Sequence, residues 1–234
     1  MTDAGRPVVP REAATVLLLR DGTDGQVGLE TWLLRRVPKM AFAPGMSVFP
    51  GGGVDPVDAD GPVPATADAV AARFGVPVER AAMLMRTAGR ELTEETGVRL
   101  PLEALLPWAR WITPEAEPRR YDTYFFVAAV PDGATAEALT GEASHADWIP
   151  VAQALAEYDR DERPMLPPTV VNLSELATLP SVAAALDSAA SRPLRPVQPT
   201  FRQDPAGTWC ADLGDGRLLP LPASFLRSSG SPLP

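Results

Sequence analysis

Arg90-Glu91-Leu92-Thr93-Glu94-Glu95-Thr96-Gly97-Val98 is the stretch whose reading decides the fold. Glu91, Glu94 and Glu95 stand at i, i+3 and i+4, so a helix through them sets three carboxylates on one face. Like charges at that spacing repel, and a plain surface helix gains nothing from the arrangement. A divalent cation resolves the conflict. Mg²⁺ and Mn²⁺ favour hard oxygen ligands, and Mg²⁺ usually binds through a few carboxylates plus substrate phosphates. The competing reading is a solvated acidic face. Met83, Leu84, Met85 and Leu92 supply the apolar side of a helix predicted over 78–96, and Gly97 fits its C-terminal cap.

Further out, Ala14–Leu19 reads as a buried strand ended by the turn-rich segment 21–25. A second strand over 27–35 completes a hairpin. Residues 44–56 hold four glycines and three prolines and read as loop. Residues 55–66 are acidic and proline-rich, and a short helix follows at 67–74. Strands are expected at 122–130 and 147–151, with helices at 151–158 and 173–188. After Ser191 proline density rises and the pattern fades. That tail, with Trp209, is expected to add one hairpin or to drape over the core. There are no internal repeats. Strands mixed with helices give an α/β class.

The length of 234 residues suits one domain over residues 1–190 with an extension over 191–234. At 45% hydrophobic residues the chain can bury a full core. A net charge of −9 argues against sequence-independent binding to nucleic acid or to an anionic membrane. The single Cys210 cannot form an internal disulfide, which fits a reducing compartment. The sequence shows no apolar run of membrane-spanning length and no signal-peptide pattern, so the expected location is cytoplasmic.

The nonapeptide resembles the second half of the Nudix box, whose pattern is Gly, five residues, Glu, seven residues, then Arg-Glu-U-x-Glu-Glu-x-Gly-U, with U aliphatic. Arg90, Glu91, Leu92, Glu94, Glu95, Gly97 and Val98 fill every defined position of that half. Phe49-Pro50-Gly51-Gly52 resembles the usual opening but lies far upstream. Counted forward from Gly52, the first glutamate of the box falls on Asp58; counted back from Arg90, it falls on Ala82. The box therefore carries an insertion, placed at about 55–78 and expected beside the site as a lid or specificity wall. An interrupted box of this kind is similar to that of peroxisomal-type coenzyme A diphosphatases. Further matches at 32–36, 109–114, 120–126 and 166–169 extend the resemblance over residues 13–180.

The resemblance implies an α/β/α sandwich with a mixed central sheet, an insertion within the box and a proline-rich C-terminal extension. It also implies Mg²⁺- or Mn²⁺-dependent cleavage of a diphosphate bond in a small nucleotide substrate. Glu91, Glu94, Glu95 and the Gly52 carbonyl are then the metal ligands. Arg90 orients a glutamate of the box, although its spacing also suits a surface pair with Glu94. Glu142, on a loop before a strand, is the candidate general base, since many members carry that glutamate outside the box. The catalytic set is thus Glu94, Glu95, Arg90 and Glu142. His145 is read as structural.

For substrate binding the candidates are Arg35, Arg36, Lys39, Phe49, Gly51, Gly52, Arg120 and Tyr124. Arginines clamp phosphates, an aromatic ring stacks on a base, and glycine lets the main chain approach closely. Arg36, Gly45 and Phe49-Pro50-Gly51-Gly52 fit the coenzyme A diphosphatase signature, whereas Val37 and Ala41 depart from it. Coenzyme A and its thioesters rank first, followed by ADP-ribose or NAD(H)-type dinucleotides. A non-catalytic ligand sensor is the alternative of another class. Family members often dimerise, so a homodimer is a further expectation, although no feature of the sequence marks an interface.

Overall fold

The apolar run Ala14–Leu19 lies in a strand covered on both sides, which explains why it shows no alternation with polar residues. In chain order the strands are β1 (Arg11–Asp21), β2 (Leu29–Arg36), β3 (Ser47–Val48), β4 (Gly51–Gly53), β5 (Leu106–Ile112), β6 (Tyr121–Ala129), β7 (Ala143–Pro150), β8 (Pro196–Val197), β9 (Thr200–Gln203), β10 (Trp209–Asp212) and β11 (Leu218–Pro220). The helices are α1 (Ala67–Phe74), α2 (Val78–Thr96), α3 (Val151–Asp159), α4 (Pro167–Leu176), α5 (Val182–Ser191) and α6 (Ala223–Ser228). This computed structural model describes residues 8–22, 28–39, 43–141 and 143–228.

β1 is the axis of a mixed sheet ordered β3-β2-β1-β6-β5-β8, in which β4 also pairs with β1 and β7 with β2. β1 and β6 run parallel, from Arg11 beside Tyr121 to Leu19 beside Ala129. The hairpin of β1 and β2 is antiparallel but pairs only at residues 19–21 and 29–31. The two strands then part, and the chain from β3 to β4 fills the gap: β3 pairs with β2, β4 with β1. The segment expected to be loop thus enters the sheet as two very short strands. Its backbone is secured by Val16 N–H donating to Pro50 O at 2.9 Å and Val54 N–H to Glu12 O at 3.0 Å.

Strand pleating sorts side chains between two cores. Ala14, Val16, Leu18, Tyr124 and Phe126 face α1 and α2; Leu17, Leu19, Phe125 and Val127 face α3, α4 and α5. The result is an α/β/α sandwich. Helix α2 presents Ala81, Leu84, Met85, Ala88 and Leu92 to the sheet at helical spacing and ends on Gly97 at φ 73°. Helix α1 belongs to the insertion, yet it is core. Phe74 packs edge-on against both Tyr124 and Phe126, at centroid distances of 5.0 and 5.4 Å.

Two expectations change. The helix expected over 173–188 is two, α4 and α5, separated by residues 177–181, with Pro180 in the break. The tail makes more than a hairpin. β8 joins the main sheet, β9–β11 form a second antiparallel sheet, and α6 docks on the first core. Phe225 of α6 is 1% exposed, Ser224 N–H donates to Asp161 Oδ1, and Tyr158 Oη–H donates to Pro220 O. Phe225→Ala is expected to cost about 3–5 kcal/mol, the usual range for emptying a buried phenylalanine site. Urea denaturation followed by fluorescence checks this: an unchanged midpoint would mean that the tail is not part of the core.

Candidate active site

The two parts of the interrupted box meet through Arg90. Its Nε and Nη2 donate to Asp58 Oδ1 and Oδ2 at 2.9 and 2.8 Å, a two-pronged ion pair across 32 residues of sequence. Asp58 is 3% exposed, and it also accepts from Thr87 Oγ1 and the Asp55 amide, each at 2.9 Å. Burial opposes its ionisation, but these donors together hold the carboxyl below the usual range. Hydrogen bonding to Asp58 correspondingly pushes the Arg90 pKa up. Ala82, the other candidate for the first acidic position, is 1% exposed in the core of α2. Geometry therefore places Asp58 at that position. One turn earlier on α2, Arg86 donates to the carbonyls of Asp58, Ala59 and Pro62, so two arginines pin the turn at 56–59.

Arg90 also reaches forward. Nη1 donates to Glu91 Oε1 at 2.8 Å and to Glu94 Oε2 at 3.4 Å. Glu91 lies against the glycine turn so closely that a Cβ on Gly52 would fall 2.3 Å from its Oε1. A Cβ on Gly51 would fall 2.5 Å from Ala14 O, whereas Gly53 has nothing nearer than 3.9 Å. Glu95 is 7% exposed and accepts from the Gly51 amide at 2.8 Å. Glu94 has a side chain 56% exposed. Burial pushes the Glu91 carboxyl up, against the opposing pull of Arg90.

Among the described residues, no three acidic, histidine or cysteine side chains are grouped as a ready cation cage. Mg²⁺ does not need one, because it keeps several waters and uses one or two carboxylates plus substrate phosphates. The donor set fits such an ion: three carboxylates on one helix face, a main chain at Gly52 with no room for a side chain, and a buried Glu95.

Gly51–Gly53, Glu91, Glu94 and Glu95 line a cleft of about 1040 Å³. Arg36, Phe49 and Arg119 are also in the wall. Four candidate binding residues lie elsewhere. Arg35 points its Nε at Gly45 O, and Lys39 is exposed outside the lining. Arg120 is 6% exposed and donates to Thr113 O and Val8 O, so it is a structural clamp. Tyr124 is fully buried beside Arg110 and Phe74, its hydroxyl pushed up to about 12 chiefly by burial. Their neighbours Arg119 and Tyr121 line the cleft instead. On β6, Tyr121, Thr123 and Phe125 share the cleft side, and Asp122 and Tyr124 take the other. No residue of 55–78 is among those lining the cleft, and helix α1 of the insertion packs into the core. His145 is exposed on β7 with Nε2 at 3.5 Å from Asp147. Glu142 and Ala41 lie outside the described residues.

The chain is an α/β/α sandwich with an acidic helix face set against a glycine turn in a cleft. Residues 75–168 match the family model described as NUDIX domain, a stretch that contains the whole nonapeptide. A Caenorhabditis elegans protein named "Putative nudix hydrolase 7" is 26% identical over 202 residues, covering 71% of this chain. The match covers 60% of that relative's length. The crystal structure of a NUDIX hydrolase from Alicyclobacillus acidocaldarius shares the fold with a TM-score of 0.65 at 24% identity, covering 80% of this chain and 99% of its own. Residues 75–168 thus resemble a NUDIX domain, and the solved structure shares the fold.

Because Gly52 faces the Glu91 carboxylate and Gly53 faces open space, their alanine variants are expected to diverge. Gly52→Ala is expected to displace Glu91 and, on the hydrolase reading proposed below, to reduce turnover by roughly 100-fold. Gly53→Ala stays within a few-fold of the parent. Rates on one diphosphate substrate, with melting temperatures of both variants, check the contrast; equal losses would mean that the Glu91 contact carries no function.

Proposed function

We propose that this chain is a metal-dependent Nudix hydrolase that cleaves the diphosphate bond of nucleoside-diphosphate-linked compounds. The observation that carries this reading is the closure of the interrupted box: Arg90 binds Asp58, and Glu91 and Glu95 both meet the glycine turn within one cleft. Loss of catalysis usually erodes the glutamates of the box, and the intact set Glu91, Glu94 and Glu95 weighs against the non-catalytic sensor.

Cleavage adds one water across a P–O–P linkage and leaves two phosphate esters. In this reading Glu91, Glu94, Glu95 and the Gly52 carbonyl hold Mg²⁺ or Mn²⁺. The bound ion supplies Lewis acidity, activation of water and a template for the phosphates. Arg36 and Arg119 offset phosphate charge against the protein's negative field. Arg90 positions Glu91 and does not touch the substrate. Glu142 is the proposed general base.

Coenzyme A and its thioesters are the substrates ranked first, on Arg36, Gly45 and the Phe49–Gly52 opening. ADP-ribose or NAD(H)-type dinucleotides form the second reading, favoured by Ala41 in place of the signature's second arginine. A cytoplasmic location and a homodimer are the matching proposals for setting and assembly. Among the described residues, no helix is long and apolar enough to cross a membrane.

Hydrolysis of coenzyme A, ADP-ribose and NADH with Mg²⁺ or Mn²⁺, with products separated by chromatography, tests the reading. Release of 3′,5′-ADP and phosphopantetheine supports the first rank, and cleavage of ADP-ribose alone the second. Glu95→Gln removes a ligand charge and is expected to lower turnover roughly 100-fold or more with the fold intact. Near-normal activity of that variant would overturn the site.

A further inference from the structure

The cleft is larger than a diphosphate alone would fill, and the C-terminal segment contributes to its wall. Pro199, Phe201 and Phe225 line the same cavity as Glu91 and Glu95. A diphosphate bound at the carboxylates leaves the rest of about 1040 Å³ for the groups esterified to it. Uncharged aromatic and proline residues join Phe201 and Phe225 in the lining, which also includes Glu117 and Arg119. Trp111 and Phe125 rise from β5 and β6 at 4% and 6% exposure, and Pro168 closes one side at the start of α4.

Phe201 is the aromatic ring of this wall that the tail presents. It is only partly buried, and its ring meets that of Phe225 edge-on at 5.8 Å. Phe225 is itself fixed in the core. The α6 segment that carries it is held by the Ser224 amide on Asp161 Oδ1, and the approach to it by Tyr158 Oη–H on Pro220 O. The ring is thus held in place before any ligand arrives, and preorganisation of that kind lowers the entropic cost of binding.

We propose that the segment from Pro199 to Phe225 forms a specificity subsite, in which Phe201 packs against an uncharged flat or apolar group linked to the diphosphate. Two parts of a substrate have this chemistry, the nucleobase and a pantetheine-like chain. The proposal rests on the hydrolase reading for its kinetic test, but its binding test is independent of turnover.

Phe201→Ala is compared with the parent protein on coenzyme A, ADP-ribose and ADP methyl ester. A KM raised about tenfold, with kcat changed less than about twofold and an unaltered melting temperature, is the expected result. A rise on all three substrates identifies the nucleobase as the occupant; a rise on coenzyme A alone identifies the pantetheine chain. An unchanged KM on all three, or a fall in kcat alone, overturns the proposal. Hydrogen exchange of the unsubstituted protein, with and without methylene-bridged analogues of ADP-ribose and coenzyme A plus Mg²⁺, gives the second readout. Slowed exchange at 199–203 supports the subsite, and unaltered exchange there overturns it, even if Phe201→Ala fails to fold. If the parent protein hydrolyses nothing, the hydrolase reading falls, and the exchange result alone decides the subsite.

Discussion

The ion pair between Arg90 and Asp58 is the joint on which the site depends. One guanidinium gathers a buried carboxylate from the turn at 56–59 and two glutamates of its own helix. Because Asp58 is almost wholly removed from water, leaving either partner alone would strand a charge there, a far larger penalty than a surface pair carries. The joint also fixes Glu91 beside Gly52. Glu95, one turn further on, then reaches the Gly51 amide. Sequence distance is thereby converted into a local arrangement that tolerates little displacement.

This explains how a box can be split by a long insertion. Loop closure grows slowly with length, each doubling adding only about 0.6 kcal/mol. Burying Phe74 alone contributes on the order of 2–3 kcal/mol. Val70 and Ala71 of the same helix are buried too. The insertion is therefore held by its own apolar face, and Arg86 ties its leading turn to α2. Its other end is tied as well, since Arg73 donates to the carbonyls of Ala190 and Arg192 at the end of α5.

Much of this was legible in the sequence. Helices α1 and α2 follow from apolar spacing, and the acidic face and glycine turn follow from residue identity. The choice between Asp58 and Ala82 was not legible, because counting from either end is equally valid and only the ion pair decides. For Arg120 and Tyr124 residue type suggests phosphate clamping and stacking. Strand parity turns both away, and nothing in a run of polar and aromatic residues says which side of β6 will meet a cleft. Strand β5 is not legible: Pro107 and Arg110 interrupt its apolar pattern. The tail gave little signal, since its strands are two to four residues long and take their order from the surface beneath. The description of the site in the sequence also extends to Glu142, which lies outside the described residues.

The order in which the cleft is assembled along the chain has a consequence for biosynthesis. Its acidic residues are all present once residue 95 has been made, but its lining includes Phe201 and Phe225. During translation, then, a nascent chain holds these carboxylates well before it has the full surface on which an organic ligand would rest. The ribosome releases a finished cleft only after about 130 further residues have been added to the acidic helix (225 − 95 = 130). At typical synthesis rates of about 5–20 residues per second, that interval is on the order of 6–26 seconds.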